Sequence, residues 1–100
     1  MSYVFSAGGL AGFHDALAYY GVTFATDDVR RYAAEIFAAL EVATTRPRLS
    51  PVVAVDEATG YEYRHVLVWK LYFFYRIGRE ELIVDLVAHE SSDLSRLSDL

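Results

Sequence analysis

The chain has no cysteine, two prolines, one methionine and one tryptophan among its 100 residues. Without cysteine there are neither disulfides nor thiolate metal ligands. Three scattered histidines, His14, His65 and His89, do not make up a zinc set. No metal and no cofactor is therefore expected. Nor is there a glycine-rich phosphate cradle, since Gly8-Gly9 alone is a weak signal. No apolar run approaches the roughly 20 residues that cross a bilayer. The N-terminus carries no basic segment followed by an apolar stretch, so neither a membrane association nor a secretory leader is expected. A cytoplasmic location fits best. Positive charge is also scarce: nine Lys and Arg stand against 14 Asp and Glu, a net charge of −5. Residues 61 to 100 hold five basic groups and seven acidic ones, so no half of the chain is basic. A protein that displaces counterions from nucleic acid usually presents a positive surface, and this chain offers at most a local patch.

Apolar side chains, in contrast, are plentiful. Hydrophobic residues make up 54% of the sequence and aromatic residues 15%, which argues for a packed core and against disorder. One domain spanning residues 1–100 is the natural size. Tyr3, Val4 and Phe5 give a short strand within Met1 to Ser6, broken by Gly8 and Gly9. Leu10, Phe13, Leu17 and Tyr20 recur at helical spacing, with Gly21 placed to end that helix. Thr26 is the expected N-cap of a second helix. Asp27 and Asp28 fall in its first turn, and Val29, Tyr32, Ala33, Ile36, Phe37 and Leu40 form its stripe, to about Thr44. Pro47 and Pro51 exclude a helix in the stretch that follows; it reads as a loop with a short strand at Val52 to Val55. Asp56 to Gly60 carries turn chemistry.

From Tyr61 the period changes to two. Tyr61, Tyr63, His65 and Leu67 share one parity; Glu62, Arg64, Val66 and Val68 share the other. Leu71 to Tyr75 is aromatic on both faces, as befits a central strand. Gly78-Arg79-Glu80 is a hairpin turn, and Leu82 to Ala88 is the last strand. Strict alternation there puts Leu82, Val84, Leu86 and Ala88 on one face and Ile83, Asp85, Val87 and His89 on the other. The Ser91 to Leu100 tail is polar, with Leu94 and Leu97 at a helical interval. The expected fold is α+β, in the order β-α-α-β-β-β, with a helical hairpin on one face of a small antiparallel sheet. Leu17, Ile36, Phe37, Leu40, Phe74, Val84 and Leu86 are expected to share the core between them. The opposite sheet face is also apolar, and an uncovered apolar face marks a partner site.

Three segments carry a resemblance: Gly60-Tyr61-Glu62-Tyr63-Arg64-His65-Val66-Leu67-Val68, then Tyr72-Phe73-Phe74-Tyr75-Arg76-Ile77, then Leu82-Ile83-Val84-Asp85-Leu86-Val87-Ala88-His89. Together with the proline-containing loop, this pattern resembles the RelE/ParE superfamily of toxins from bacterial toxin–antitoxin pairs. The resemblance implies a toxin neutralised by a cognate antitoxin. ParE-like members inhibit DNA gyrase and need no hydrolytic site; RelE-like members cut messenger RNA in the ribosome. A third alternative is a non-toxic binding module of the same fold. Tyr72 stands where RelE-like members often carry arginine, and Glu90-Ser91-Ser92 stands where basic residues often follow the last strand. Both departures remove charge that a phosphate in transfer needs, so the ParE-like alternative is the expected one.

On that resemblance the catalytic candidates are His89, Tyr75, Arg76 and Glu90, and the partner-binding candidates are Arg64, Arg76, Tyr72 and His89. Each has a plainer role. His89 and Glu90 can be strand-end residues, Tyr75 a packed sheet residue, and His65 a packing residue. Arg76 is expected in an ion pair with Asp85 or Glu81 across the hairpin, with Arg64 similarly placed. Arg46 and Arg48 are expected as solvated loop charges.

Overall fold

The computed structural model describes residues 1–23 and 26–89, with the side chains of residues 19–29 excepted. Its elements are β1 (Ser2–Phe5), α1 (Ala7–Thr23), α2 (Thr26–Thr45), β2 (Ala54–Val55), β3 (Glu62–Val68), β4 (Leu71–Ile77) and β5 (Glu81–His89). The five strands form one sheet in the order β1-β5-β4-β3-β2, and both helices pack on it, an α+β architecture. The sheet is not wholly antiparallel: β1 runs parallel to β5, with Phe5 opposite Val84. The capping expected of Thr26, Asp27 and Asp28, and the tail from Glu90 onward, lie outside the described residues. No described helix is long and apolar enough to cross a membrane.

The first helix begins earlier than its apolar spacing indicates. Ser6 is its cap: the Gly9 N–H donates to Ser6 Oγ at 3.2 Å, and the Leu10 N–H donates to the Ser6 carbonyl at 2.8 Å. Gly8 and Gly9, expected to break a strand, therefore lie in the first turn of α1. Their role is proximity. A Cβ on Gly9 would sit 2.1 Å from the Val84 carbonyl oxygen, so the helix lies directly on the backbone of β5.

A two-residue turn, Trp69-Lys70, joins β3 to β4. Trp69 adopts φ 54°, a region disfavoured for bulky side chains. The cost is offset by a clasp to α2. The Trp69 ring lies 4.1 Å from that of Tyr32, its Nε1–H donates to Glu35 Oε2 at 2.6 Å, and the Tyr32 hydroxyl donates to the Val68 carbonyl at 3.0 Å.

Phe13, Tyr32, Ile36 and Leu40 from the helices meet Val68, Leu71, Phe73, Tyr75, Leu82, Val84 and Val87 from the sheet. Phe13 is its aromatic centre, 5.2 Å from Phe5 and 5.9 Å from Phe73. Leu17, Ile36, Leu40 and Val84 take part as expected. Phe37 does not: it is 40% exposed, and touches the cluster through an edge contact with Phe13. Phe74 is buried but belongs to the opposite sheet face, with Leu86 as its register partner.

The alternation expected of the last strand fails at one residue. The β4–β5 register steps from Phe74↔Leu86 to Tyr75↔Val84, leaving Asp85 as a bulge. Beyond it the parity reverses. Val87, opposite Phe73, joins Leu82 and Val84 on the helix side, and Leu86 turns to the other face.

Candidate functional site

The bulge determines what the non-helical face can do. It sets Asp85 beside Arg76 and Tyr63: Arg76 Nε and the Tyr63 hydroxyl both donate to Asp85 Oδ2, each at 2.7 Å. The Arg76 guanidinium also lies over the Tyr61 ring, 4.3 Å from its centre. Burial alone would raise the Asp85 carboxyl, but the hydrogen bonds from Tyr63 and Arg76 outweigh it and hold its pKa below the usual value. Burial first, then the bond to Asp85, pushes the Tyr63 hydroxyl above its ordinary range. Arg76 is held charged: burial lowers its pKa, and the Asp85 carboxylate more than restores it. Three strands are thereby tied together by one carboxylate.

The neighbouring residue points the other way. Tyr75 is buried against the helices, and its hydroxyl donates to the Pro47 carbonyl at 2.8 Å. Burial raises its pKa. Its register partner Arg64 donates through Nε to the Ser50 carbonyl at 2.8 Å. These two side chains pin the proline-containing loop to the sheet.

The sequence candidates are therefore dispersed. Tyr75 and Arg64 serve the loop on one side. Arg76 and Tyr72 lie on the other, with Tyr72 stacked on Phe74 at 5.8 Å and meeting His65 edge-on at 5.0 Å. His89 is opposite Leu71 at the far end of β5, half-buried. Glu90 lies outside the described residues. Tyr75 and Arg64 are cross-strand partners, whereas Arg76 is joined to Tyr61, Tyr63 and Asp85, and Tyr72 to His65 and Phe74. Among the described residues no three His, Asp or Glu side chains come together as a metal site.

A groove of about 730 Å³ lies between the end of α2, the proline-containing loop and the sheet, and of the sequence candidates Tyr75 lines it. Its walls are Val42 and Ala43 of α2, Arg46 and Leu49 of the loop, and His65, Val66 and Leu67 of β3. Val42 is 69% exposed and Leu49 75%, so its rim is apolar and open to solvent. His65 contributes an oddity: its Nδ1 is buried and has no hydrogen-bond partner among the described residues. The sequence signal for the groove was Pro51, which stops β2 from running alongside the rest of β3.

No family model matches the sequence, and no curated protein matches it.

Proposed function

We propose that this protein is the toxin of a toxin–antitoxin pair of the RelE/ParE type, acting ParE-like through protein–protein contact in the cytoplasm and held by a cognate antitoxin. The resemblance of the segments from Gly60 to His89 motivates the family. The observation that carries the ParE-like mode is how the candidate catalytic groups are employed. Cleaving RNA needs a base at the 2′-hydroxyl, a cation at the phosphate and an acid at the leaving oxygen, all around one atom. Here the Tyr75 hydroxyl is committed to the Pro47 carbonyl and Arg76 Nε to Asp85, on opposite faces of the sheet. An apolar groove and an aromatic sheet face suit a polypeptide partner better than a phosphodiester.

The test is growth on inducible expression, with and without the product of an adjacent short reading frame. Growth arrest relieved by that product is expected, and His89→Ala and Tyr75→Phe leave the arrest in place. Purified DNA gyrase is the first target to assay, by supercoiling. Codon-linked messenger cleavage that disappears in His89→Ala would replace this reading with the RelE-like one. Absence of both arrest and binding would leave neither.

A further inference from the structure

The sheet ends on one side in β1, and the outer edge of that strand is bare. The Ser6 N–H turns inward to the Val84 carbonyl. Alternation along a strand then turns the backbone groups of Val4 inward with it, and those of Tyr3 and Phe5 outward. β1 is the terminal strand, and among the described residues nothing pairs with those outward groups. The two edges of the sheet differ. β2 is guarded in the ways that keep edges from pairing: it is two residues long, Pro51 lies upstream and Asp56 follows it. β1 has four residues, a regular register, no proline and no charge; no Asp, Glu, Lys or Arg precedes Asp15 in the chain. Apolar groups lie along it as well. Met1 and Val4 are exposed at the strand itself. Leu10, whose N–H bonds to Ser6, is exposed on α1, and Phe37 is exposed on α2 against the Phe13 that stacks on Phe5.

We infer that a second copy of the chain completes this edge, β1 pairing antiparallel with β1 about a two-fold axis through Val4. The edge is self-complementary in that register. Tyr3 of each copy faces Phe5 of the other, and each such pair exchanges both of its backbone hydrogen bonds. The rings extend a contact already present within the strand, where the Tyr3 and Phe5 centres are 6.4 Å apart. On the other sheet face the two Val4 side chains meet at the axis, in the closer, non-hydrogen-bonded kind of pair. Each copy carries a net charge of −5, so contact between copies needs a neutral seam, and β1 supplies one. Glu41 of α2 is near enough to add to burial in raising the Tyr3 pKa. It approaches the seam from both copies, so added salt tightens the pair. The groove beside β3 lies toward the opposite edge of the sheet and stays free. The inference does not rest on the toxin reading, since it needs the chain alone.

Sedimentation equilibrium of the full chain between about 1 and 100 μM should show the mass rising from 11.3 kDa toward twice that value, and more readily at high salt. Val4→Lys sets two ammonium groups against each other at the axis and should weaken the pair at least about tenfold. Val4→Glu should do the same. An equimolar mixture of the two variants should dimerise again, because each Lys then meets a Glu; that recovery also shows that both variants are folded. Since the chain has no cysteine, Val4→Cys carries a single thiol. Facing Cα atoms about 4.5 Å apart suit a disulfide. In a glutathione redox buffer it should therefore cross-link at least about tenfold faster than Val55→Cys at the guarded edge. A monomer throughout the concentration range, a dimer indifferent to Val4→Lys, a mixture that stays monomeric, or equal cross-linking at Val4 and Val55 would each overturn the inference.

Discussion

Replacing Gly9 by alanine tests whether α1 rests on the backbone of β5. The new methyl group would lie 2.1 Å from the Val84 oxygen and 2.8 Å from its carbonyl carbon. Neither atom can swing aside. The same oxygen accepts from the Ser6 N–H at 2.9 Å and from Ser6 Oγ at 3.2 Å, and Val84 is a fully buried member of the core. Relief requires the helix to rise by roughly 1 Å, which forfeits a quarter to a half of the dispersion well for each contact it stretches. Phe13, packed between Phe5 and Phe73, is the side chain that loses most. Overpacking of this kind costs about 1–3 kcal/mol, and the better helix propensity of alanine returns at most about 1 kcal/mol. A net loss of about 1–2 kcal/mol is expected, lowering the Tm by about 4–16 °C for a chain of this size. Gly8 is the control. Its Cβ would meet the Asp85 oxygen at 3.3 Å, a gap that a few tenths of an ångström relieves, so Gly8→Ala should stay within about 0.5 kcal/mol of the parent. Urea titrations followed by circular dichroism and by the emission of the single tryptophan give both values. Equal midpoints for Gly9→Ala and the parent would refute the close packing.

Two further outcomes follow from the clasp and the bulge. Tyr32→Phe removes the hydrogen bond to the Val68 carbonyl beneath Trp69 and should cost about 0.5–1.5 kcal/mol, with a shift in Trp69 emission that Phe73→Ala, a core cavity away from the turn, does not reproduce. Asp85 has a folded-state pKa below its unfolded value near 3.9, so the stability it contributes is present above that value and is lost as pH falls through the lower, folded one. Denaturant midpoints of Asp85→Asn should therefore fall less steeply than the parent's below about pH 4; parallel acid limbs would show that the carboxylate is not held by Tyr63 and Arg76.

Much of this architecture was legible because it depends on period. Ile36 and Leu40 repeat at helical spacing, Tyr61 to Val68 alternates, and the two glycine-marked turns fall where their chemistry places them. Three features were not legible, each decided by tertiary contact. The Asp85 bulge has no local signature, because no glycine marks it and the hydrophobic run continues through it; its gain is the pair of hydrogen bonds from neighbouring strands. Gly8-Gly9 reads as a breaker until β5 is seen beneath it. The turn at Trp69-Lys70 lacks the usual glycine or asparagine, and its strain is offset by Tyr32 and Glu35, more than 30 positions away. The site followed the same rule. Arg76 met Asp85 as cross-strand reasoning expects. The groove beside β3 depended on where Pro51 halts its neighbour, which alternation alone does not disclose.

The parallel pairing of β1 with β5 has a consequence for synthesis. Ser6 and Val84 are 78 positions apart, yet the cap of α1 and the whole length of β1 depend on residues 81–84. At about 5–20 residues per second of translation, the N-terminal strand waits on the order of 4–16 s for its neighbour β5 to be made. During that interval Tyr3, Phe5 and Phe13 have no β5 to cover them, so the nascent chain passes through a window in which a chaperone, or a strand of another chain, competes for the place that residues 81–84 later fill.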